Sequence, residues 1–459
     1  MDIERKLARF ITEVNAADIP DTVGVIAKDV LLTVCGTAIA GAKQDGIASL
    51  REILTSQGGQ PEATTFVFGD RLPAANAALL NGAMSRALDY CDAMKPGLHL
   101  GSSVVPAALA AAELTGSCTG EKFLTALVAG LETGARLNLT EVMYNGFDPT
   151  GIAGLMGATA AVARVFSLSE EQTLHALALA FNRCGGSFQS NIDGSLAVRL
   201  IQGWVAETAM QCAKFAKAEL TGPVNFLSGI YGYAHLFARD MNYAHSFTAG
   251  IGIEYRLLDM VFKKFPSCGL TQGVTELALR TAEKYDLHPE VIDKIEIHLP
   301  SYAYRLVGHP FVFGDNPRVN AQFSAQYCVA NAIVRGESRL HHFEPETISD
   351  PSVVSLMSRT FVTHESGLDQ FDHTAARLAV TTSGGGIWVE SLDIAPGFPG
   401  NPLTAKDQVK RFDDCLFYSG WQSLAERSKP LQALVAHIEE ERDVRTLVQS
   451  LLAEPERKI

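Results

Sequence analysis

The feature that most constrains this fold is the density of small residues in helically spaced apolar segments of the first half. Five of residues 107–112 and four of residues 158–163 are alanine. Small side chains let neighbouring helices approach closely. Helical spacing of apolar residues occurs in the segments Asp21–Gly41, Pro73–Leu88, Val105–Leu114, Gly120–Asn138 and Gly151–Phe166. We therefore predict one dense helical bundle here, with a further helix opened by a capping box of Ser169 and Gln172.

The pattern changes after about residue 260. Residues 294–299 alternate with period two and predict a strand, while 378–382 and 387–392 predict a β-hairpin. Residues 321–334 and 351–357 are helical in pattern. A chain of 459 residues favours two domains. We predict a mainly α fold with a large all-helical domain, residues 1–260 and 404–459, and a smaller α+β domain, residues 261–403.

Composition excludes several classes of function. The formal net charge of -13 argues against nucleic-acid binding, although a local Lys/Arg pocket could still take a small anion. The eight cysteines are scattered without metal-ligand spacing, so neither a metal site nor a disulfide framework is expected. Residues 1–6 lack an apolar signal core, and the longest segment without charges, 220–238, is too polar to span a bilayer. We expect a cytoplasmic protein with no membrane partner.

One loop between two apolar helices concentrates titratable groups. Asp89, Asp92, Lys95 and His99 lie within eleven residues that include a Pro–Gly pair. A rigid frame would position such groups to meet a ligand. The two aspartates could equally cap or solvate a helix end. Cys268 is similarly open to two interpretations, since it could be a nucleophile activated by nearby lysines or a packed apolar side chain.

Short motifs, in order along the chain, resemble those of the MmgE/PrpD family. They are Asn81–Gly82, Leu88–Asp92, His99 ten residues after Asp89, Gly146–Gly151, Lys263–Cys268, Ala321–Tyr327 and Gly397–Leu403. The resemblance implies a helical domain, a smaller α+β domain, a cleft between them and a homodimer. It also implies proton transfer beside a carboxylate of a small di- or tricarboxylate, without metal or organic cofactor, as in 2-methylcitrate dehydratase, cis-aconitate decarboxylase and iminodisuccinate epimerase.

Departures from the family motifs shape the functional prediction. Asp148 replaces a histidine of the motif at 146–151, Val198 replaces a lysine, and Ala93 replaces a threonine, while Cys91 replaces the first of two paired aspartates. A dehydratase must protonate a leaving hydroxyl, whereas an epimerase needs only two groups that remove and return a proton. We therefore predict a cofactor-independent epimerase of an iminodisuccinate-like acid. A lyase of the dehydratase or decarboxylase type, or a non-catalytic binding protein, are the alternatives.

The resemblance places Asp89, His99, Lys263 and Cys268 at site positions. In the predicted epimerase, His99 is the base on one face of the substrate, and Tyr144 or Asp148 acts on the other. Asp89 orients His99 and fixes its tautomer. Lys263 and Arg199 hold substrate carboxylates. The remaining predicted contacts to substrate are Lys264, Cys268 and Asp92.

Overall fold

A computed structural model of the chain describes residues 2–193 and 195–454. It divides into two compact units, Met1–Met260 with Cys415–Ile459, and Val261–Asp414. The fold is mainly α, with the strands of the larger sheet in the second unit. Residues 404–414, predicted to join the helical domain, cluster instead with the second unit, because the boundary falls inside a helix, Ala405–Ser419.

The first unit is a bundle of helices with a few very short strands. Its helices up to residue 260 are α1 Asp2–Glu13, α2 Asp21–Gly41, α3 Ile47–Ser56, α4 Ala74–Arg86, α5 Gly101–Thr115, α6 Gly120–Leu137, α7 Leu155–Val165, α8 Glu170–Phe181, α9 Gln189–Ile192 and α10 Ala197–Lys217. A π-helical turn, Thr150–Gly154, leads into α7. The short strands are β1 Ala63–Thr64, β2 Arg71–Leu72 and β3 Asp92–Ala93.

The helices predicted from apolar spacing are confirmed. α2 has the predicted bounds, and α4 and α6 differ from theirs by one or two residues at an end. The capping box of α8 is also confirmed, since Ser169 Oγ accepts from Gln172 N at 3.2 Å and Gln172 Oε1 accepts from Ser169 N at 3.1 Å. The helix predicted from Val105 begins earlier, at Gly101, where the Asp92 carboxylate accepts the backbone N–H.

Close backbone contacts explain why small residues dominate this unit. A Cβ added to Gly203 of α10 would lie 2.4 Å from the carbonyl oxygen of Leu79 on α4, so only glycine permits this approach. Helix α2 is long and apolar enough to cross a membrane by composition, and 67% of its most apolar window is buried within the fold. A buried core helix of a bundle can have the same length and apolar composition as a membrane-spanning helix.

The second unit combines a four-stranded sheet with helices. Its strands are β4 Val261–Phe262, β5 Ile292–Leu299, β6 Thr360–His364, β7 Ala376–Thr382 and β8 Ile387–Leu392. Its helices are α11 Gln272–Tyr285, α12 Ser301–Val307, α13 Pro317–Gln322, α14 Ala325–Arg335, α15 Pro345–Ile348, α16 Pro351–Met357 and the first part of α17, Ala405–Ser419. The chain then returns to the first unit with α18 Gln422–Glu426, α19 Ser428–Ala436 and α20 Arg445–Ser450.

The larger sheet has the strand order β6-β5-β7-β8. β5 pairs in parallel with β6 and antiparallel with β7, and β7 forms the predicted antiparallel hairpin with β8. The predicted strand and hairpin are therefore confirmed. The helix predicted over 321–334 is interrupted at Ser324, whose side chain accepts from Tyr327 N and caps α14.

Candidate active site

The loop after α4 is closed by hydrogen bonds within its own backbone. Met94 and Leu98 exchange two backbone hydrogen bonds, of 2.7 and 3.0 Å, which close the loop between Asp92 and His99. The fully buried Asp92 carboxylate ends the loop by accepting from Leu100 N at 3.2 Å and Gly101 N at 2.9 Å. This carboxylate therefore caps α5. Its predicted contact with substrate stays a prediction.

The tautomer of His99 follows from one contact. Nδ1 lies 2.7 Å from the carbonyl oxygen of Asp92, and a carbonyl can only accept, so Nδ1 carries the proton. In the neutral ring Nε2 then holds the lone pair. The prediction gave this orienting role to the Asp89 carboxylate, but this Nδ1 contact is to the main chain of Asp92. Main-chain atoms hold their position better than a mobile carboxylate, so the ring is preorganised as a base.

The backbone of His99 is fixed from the opposite side. His99 N donates to Thr150 Oγ1 at 3.2 Å, and Gln202 Nε2 donates to the same hydroxyl at 3.3 Å. Ser103 Oγ in turn donates to Gln202 Oε1. Thr150 and Gln202 are fully or almost fully buried. This chain of hydrogen bonds ties the loop to the π-helical turn and to α10.

Arg86, at the end of α4, supplies a buried positive charge beside His99. Its guanidinium donates from Nη1 to Asp89 Oδ1 at 2.5 Å, and Nη2 lies 3.4 Å from His99 Nε2. Burial lowers the pKa of Arg86, but the nearby Asp89, Cys91 and Asp148 outweigh it, so the pKa is raised and the charge is permanent. Asp89 reaches Arg86 with a backbone φ of +52°, a left-handed conformation that aspartate adopts more readily than most residues other than glycine.

Cys91 occupies a position next to the histidine ring. Its Sγ lies 3.4 Å from His99 Nδ1, and the residue is fully buried. Burial raises the pKa of the thiol to about 11, against the opposing effect of Arg86. Cys91 is therefore a neutral thiol at physiological pH rather than a nucleophile.

Asp148 lies in a short segment that pairs with residues 185–187. Its backbone N–H donates to Gly186 O at 3.1 Å, and a Cβ on Gly151 would lie 1.7 Å from Gly185 O, so the turn needs glycine there. Asp148 Oδ1 accepts from Thr150 N at 2.8 Å. Burial raises the pKa of this carboxyl despite that hydrogen bond and the charge of Arg86. Burial thus shifts the pKa of this carboxyl towards that of a proton donor, relative to an exposed aspartate.

Tyr144 and Arg199 have other partners. Tyr144 Oη donates to Asn138 Oδ1 at 2.7 Å, and burial raises its pKa well above the ordinary phenol value. A base would need the phenolate, which this environment disfavours. Arg199 Nη1 donates to the carbonyl oxygen of Asp45 at 2.6 Å. The catalytic role of Tyr144 and the substrate contact of Arg199 stay predictions.

In the second unit, the predicted residues of the motif at 263–268 are organised by Gln272. Its side chain accepts from Phe265 N and donates to Phe265 O, both at 2.9 Å. Lys263 is buried and Cys268 is half-buried, with Cys268 N donating to Gln322 O at 3.0 Å. Lys264 Nζ lies 2.8 Å from Glu276 Oε2 and 3.5 Å from Asp407 Oδ1. Those two carboxylates neutralise Lys264, which disfavours its predicted role in holding substrate.

Sequence reasoning missed Arg86, Thr150 and Gln202. Arg86 had a usable signal, because it is the only charged residue in α4, a helix of mostly small and apolar residues. Thr150 lies within the motif at 146–151, but the sequence did not indicate its contact with His99, and Gln202 had no signal, since its role arises from contacts with residues far away in the chain. In residues 2–193 and 195–454, no group of three or more His, Cys, Asp and Glu side chains is placed to hold a metal ion.

The first unit thus brings His99, a carboxyl with a raised pKa and a buried guanidinium close to one loop, and groups of these kinds can move protons next to an anion. A profile of the MmgE/PrpD N-terminal domain matches residues 5–246, and one of the C-terminal domain matches residues 265–436. The chain belongs to the MmgE/PrpD family. The family resemblance carried by the short motifs is therefore confirmed.

Three relatives within the MmgE/PrpD family are similar over most of the chain. The chain is 24% identical to "Cis-aconitate decarboxylase-like protein oryM" of Aspergillus oryzae, covering 99% of this chain and 98% of the relative. It is 25% identical to the human "Cis-aconitate decarboxylase" and 24% identical to that of Mus musculus, each over 74% of this chain and 72% of the relative. These names favour the lyase alternative, and nothing in them supports the predicted epimerase.

Proposed function

We propose that this protein is a lyase of the decarboxylase type that acts on a small di- or tricarboxylate. The observation that carries the proposal is the geometry of His99, whose Nδ1–H is held by the Asp92 carbonyl while Nε2 lies next to the buried guanidinium of Arg86. The decarboxylase names of three relatives, one matched over nearly its whole length, support the lyase class.

The chemistry of such a lyase needs one proton and a place for negative charge. The C–C bond to the departing carboxylate breaks and carbon dioxide leaves. The bonding electron pair stays with the carbon skeleton, which then takes up one proton. A buried cation stabilises the negative charge that develops before protonation. A positioned acid or base contributes about 10²- to 10⁴-fold to such a step.

Two groups in the first unit match these needs. Asp148 is favoured as the proton donor, because burial raises its pKa and keeps the carboxyl neutral to higher pH. His99 is favoured as the base that accepts or relays a proton through Nε2, because Nδ1 is already committed to Asp92. The histidine that the family motif has at the Asp148 position would supply the same proton, so the substitution keeps an acid in place.

The test is a substrate panel in deuterated buffer. Purified protein is incubated separately with cis-aconitate, citrate and aspartate-like dicarboxylates, and products are followed by carbon dioxide release, alkene absorbance and proton NMR. Carbon dioxide release with one deuterium incorporated per product is the expected result. His99→Gln and Asp148→Asn variants should release it far more slowly.

Three other results would contradict the proposal. Deuterium exchange at an α-carbon without loss of carbon would identify the epimerase that the sequence predicts. Loss or gain of water without carbon dioxide would identify a hydro-lyase. Tight binding without any exchange would identify a binding protein on this fold.

A further inference from the structure

The contact between Arg86 and His99 has a chemical consequence that the proposed function leaves open. A histidine base works through the lone pair of Nε2, and here that nitrogen lies 3.4 Å from Arg86 Nη2. As long as the guanidinium points at Nε2, the lone pair faces a cation rather than a substrate proton. Turnover therefore needs a group that draws Arg86 away from His99.

We propose that Arg86 binds a carboxylate of the substrate, and that this binding exchanges the Arg86–His99 contact for an Arg86–substrate contact. The inference rests on the proposed function, since it assumes a carboxylate substrate. It makes Arg86 a substrate-binding residue of the same site.

The two contacts of the Arg86 guanidinium, to His99 and to a substrate carboxylate, differ in strength. A guanidinium forms paired, charge-assisted hydrogen bonds of about 2.7–2.9 Å with a carboxylate, and these are roughly twice as strong as neutral ones. The contact to a neutral imidazole at 3.4 Å is longer than a good hydrogen bond. An incoming carboxylate thus replaces it at a net gain.

Asp89 holds Arg86 in place. It accepts from Nη1 of the guanidinium, and does so from a left-handed backbone conformation with φ of +52°. Non-glycine residues persist in that region where surrounding structure enforces it, commonly at functional sites. Holding Nη1 fixes the plane of the guanidinium and leaves Nη2 directed towards His99.

Arg164, in the same unit, has hydrogen-bond partners of a different kind. Arg164 donates to two main-chain carbonyls, Thr12 O and, at 2.7 Å, Val14 O. Those contacts fix the end of α1, and the two acceptors are main-chain carbonyls, which do not titrate. Arg86 contacts an acid and a base, so its environment is that of a reacting site rather than a staple. Arg164→Lys is therefore the matched control variant.

The experiment separates binding from turnover. The probe is propane-1,2,3-tricarboxylate, a saturated compound, with binding measured by calorimetry on the full chain. Arg86→Lys should weaken binding about 10-fold and Arg86→Ala about 100-fold, whereas Arg164→Lys should bind like wild type. Methylguanidinium added to Arg86→Ala should restore both binding and turnover, which a purely structural role would not allow.

A second readout observes His99 itself. In protein with 15N-labelled histidine, the probe should change the Nε2 resonance of His99, since Nε2 loses its contact with Arg86, while the proton stays on Nδ1. In Arg86→Lys the change should be smaller.

The outcomes distinguish the two proposals. If wild type binds neither this probe nor any reactive polycarboxylate, the proposed function fails, and this inference fails with it. If wild type binds the probe but the Arg86 variants bind it equally well, only the role of Arg86 is overturned. If Arg86→Ala does not fold, Arg86→Lys decides, because unchanged affinity and an unchanged Nε2 response there refute the exchange.

Discussion

Two buried arginines of the first unit pair with carboxylates, one with a buried glutamate and one with a half-buried aspartate, and they are held in different ways. Arg136 is fully buried and pairs with Glu132 at 2.6 Å, four residues earlier on α6. Its other donors go to the main-chain carbonyls of Ala249 and Glu254, and Glu132 accepts from the backbone of Leu257. Arg86 instead contacts the side chains of Asp89 and His99.

The difference in hydrogen-bond partners indicates which ion pair stabilises the fold and which belongs to the candidate active site. Around Arg136 the main chain satisfies both partners, so the pair fastens residues 249–257 to α6. Around Arg86 the partners are themselves titratable side chains, and one of them, Asp89, has a left-handed backbone conformation. Pairs of the first kind should affect the free energy of unfolding, and members of the second network should affect turnover.

The largest expected effect is on activity. His99→Gln should reduce turnover of the best polycarboxylate substrate about 10³-fold, because glutamine can keep the hydrogen bond to the Asp92 carbonyl but cannot accept a proton at neutral pH. Steady-state kinetics and thermal melting of the same preparation check this. A large loss of thermal stability with little loss of turnover would reverse the assignment of the two networks.

The next effect is on stability. Glu132→Gln should lower the free energy of unfolding by about 3–5 kcal/mol, because it leaves the buried Arg136 without its counter-charge. Urea unfolding measures the change, and turnover per folded molecule should remain near that of wild type. A variant with normal stability and impaired turnover would show that this pair also belongs to the site.

The contrast between the two pairs also shows what the sequence could and could not predict. The helices, the hairpin and the capping box at Ser169 could be predicted, because they depend on the spacing of residues that are close together in the sequence. The loop bearing His99 was recognisable because charges are rare around it. The partner of His99 Nδ1 and the role of Arg86 could not be predicted. They depend on the left-handed backbone of Asp89 and on the direction of the Asp92 carbonyl, and residue types alone indicate neither.

A pH-dependent effect should follow from Asp148. Burial raises the pKa of this carboxyl in the folded state, so the folded protein binds more protons than the unfolded chain above about pH 4. Wild type should therefore lose stability relative to Asp148→Asn as pH rises from about 4 towards neutral. Asparagine keeps an oxygen acceptor for Thr150 N, so the two proteins should be similar at the acid end.

Urea unfolding of both proteins across that range measures the difference. If wild type instead gained stability relative to Asp148→Asn as pH rises, the carboxylate, ionised and paired with Arg86, would stabilise the fold. Asp148 would then resemble Glu132 more than a proton donor.

The smallest expected effect concerns Cys91. The thiol lies 3.4 Å from His99 Nδ1, but burial raises its pKa to about 11, so it carries no charge for the ring to use. The hydrogen bond that fixes the tautomer is the one to the Asp92 carbonyl at 2.7 Å, and Cys91→Ala leaves it intact. Turnover should therefore change by no more than about 2-fold, while the lost packing of a fully buried side chain costs about 1 kcal/mol of stability.

Kinetics and urea unfolding of Cys91→Ala separate these effects. A fall in turnover approaching that of His99→Gln would place the thiol in the proton path, and proximity to the histidine ring would then matter more than the charge of the contacting group.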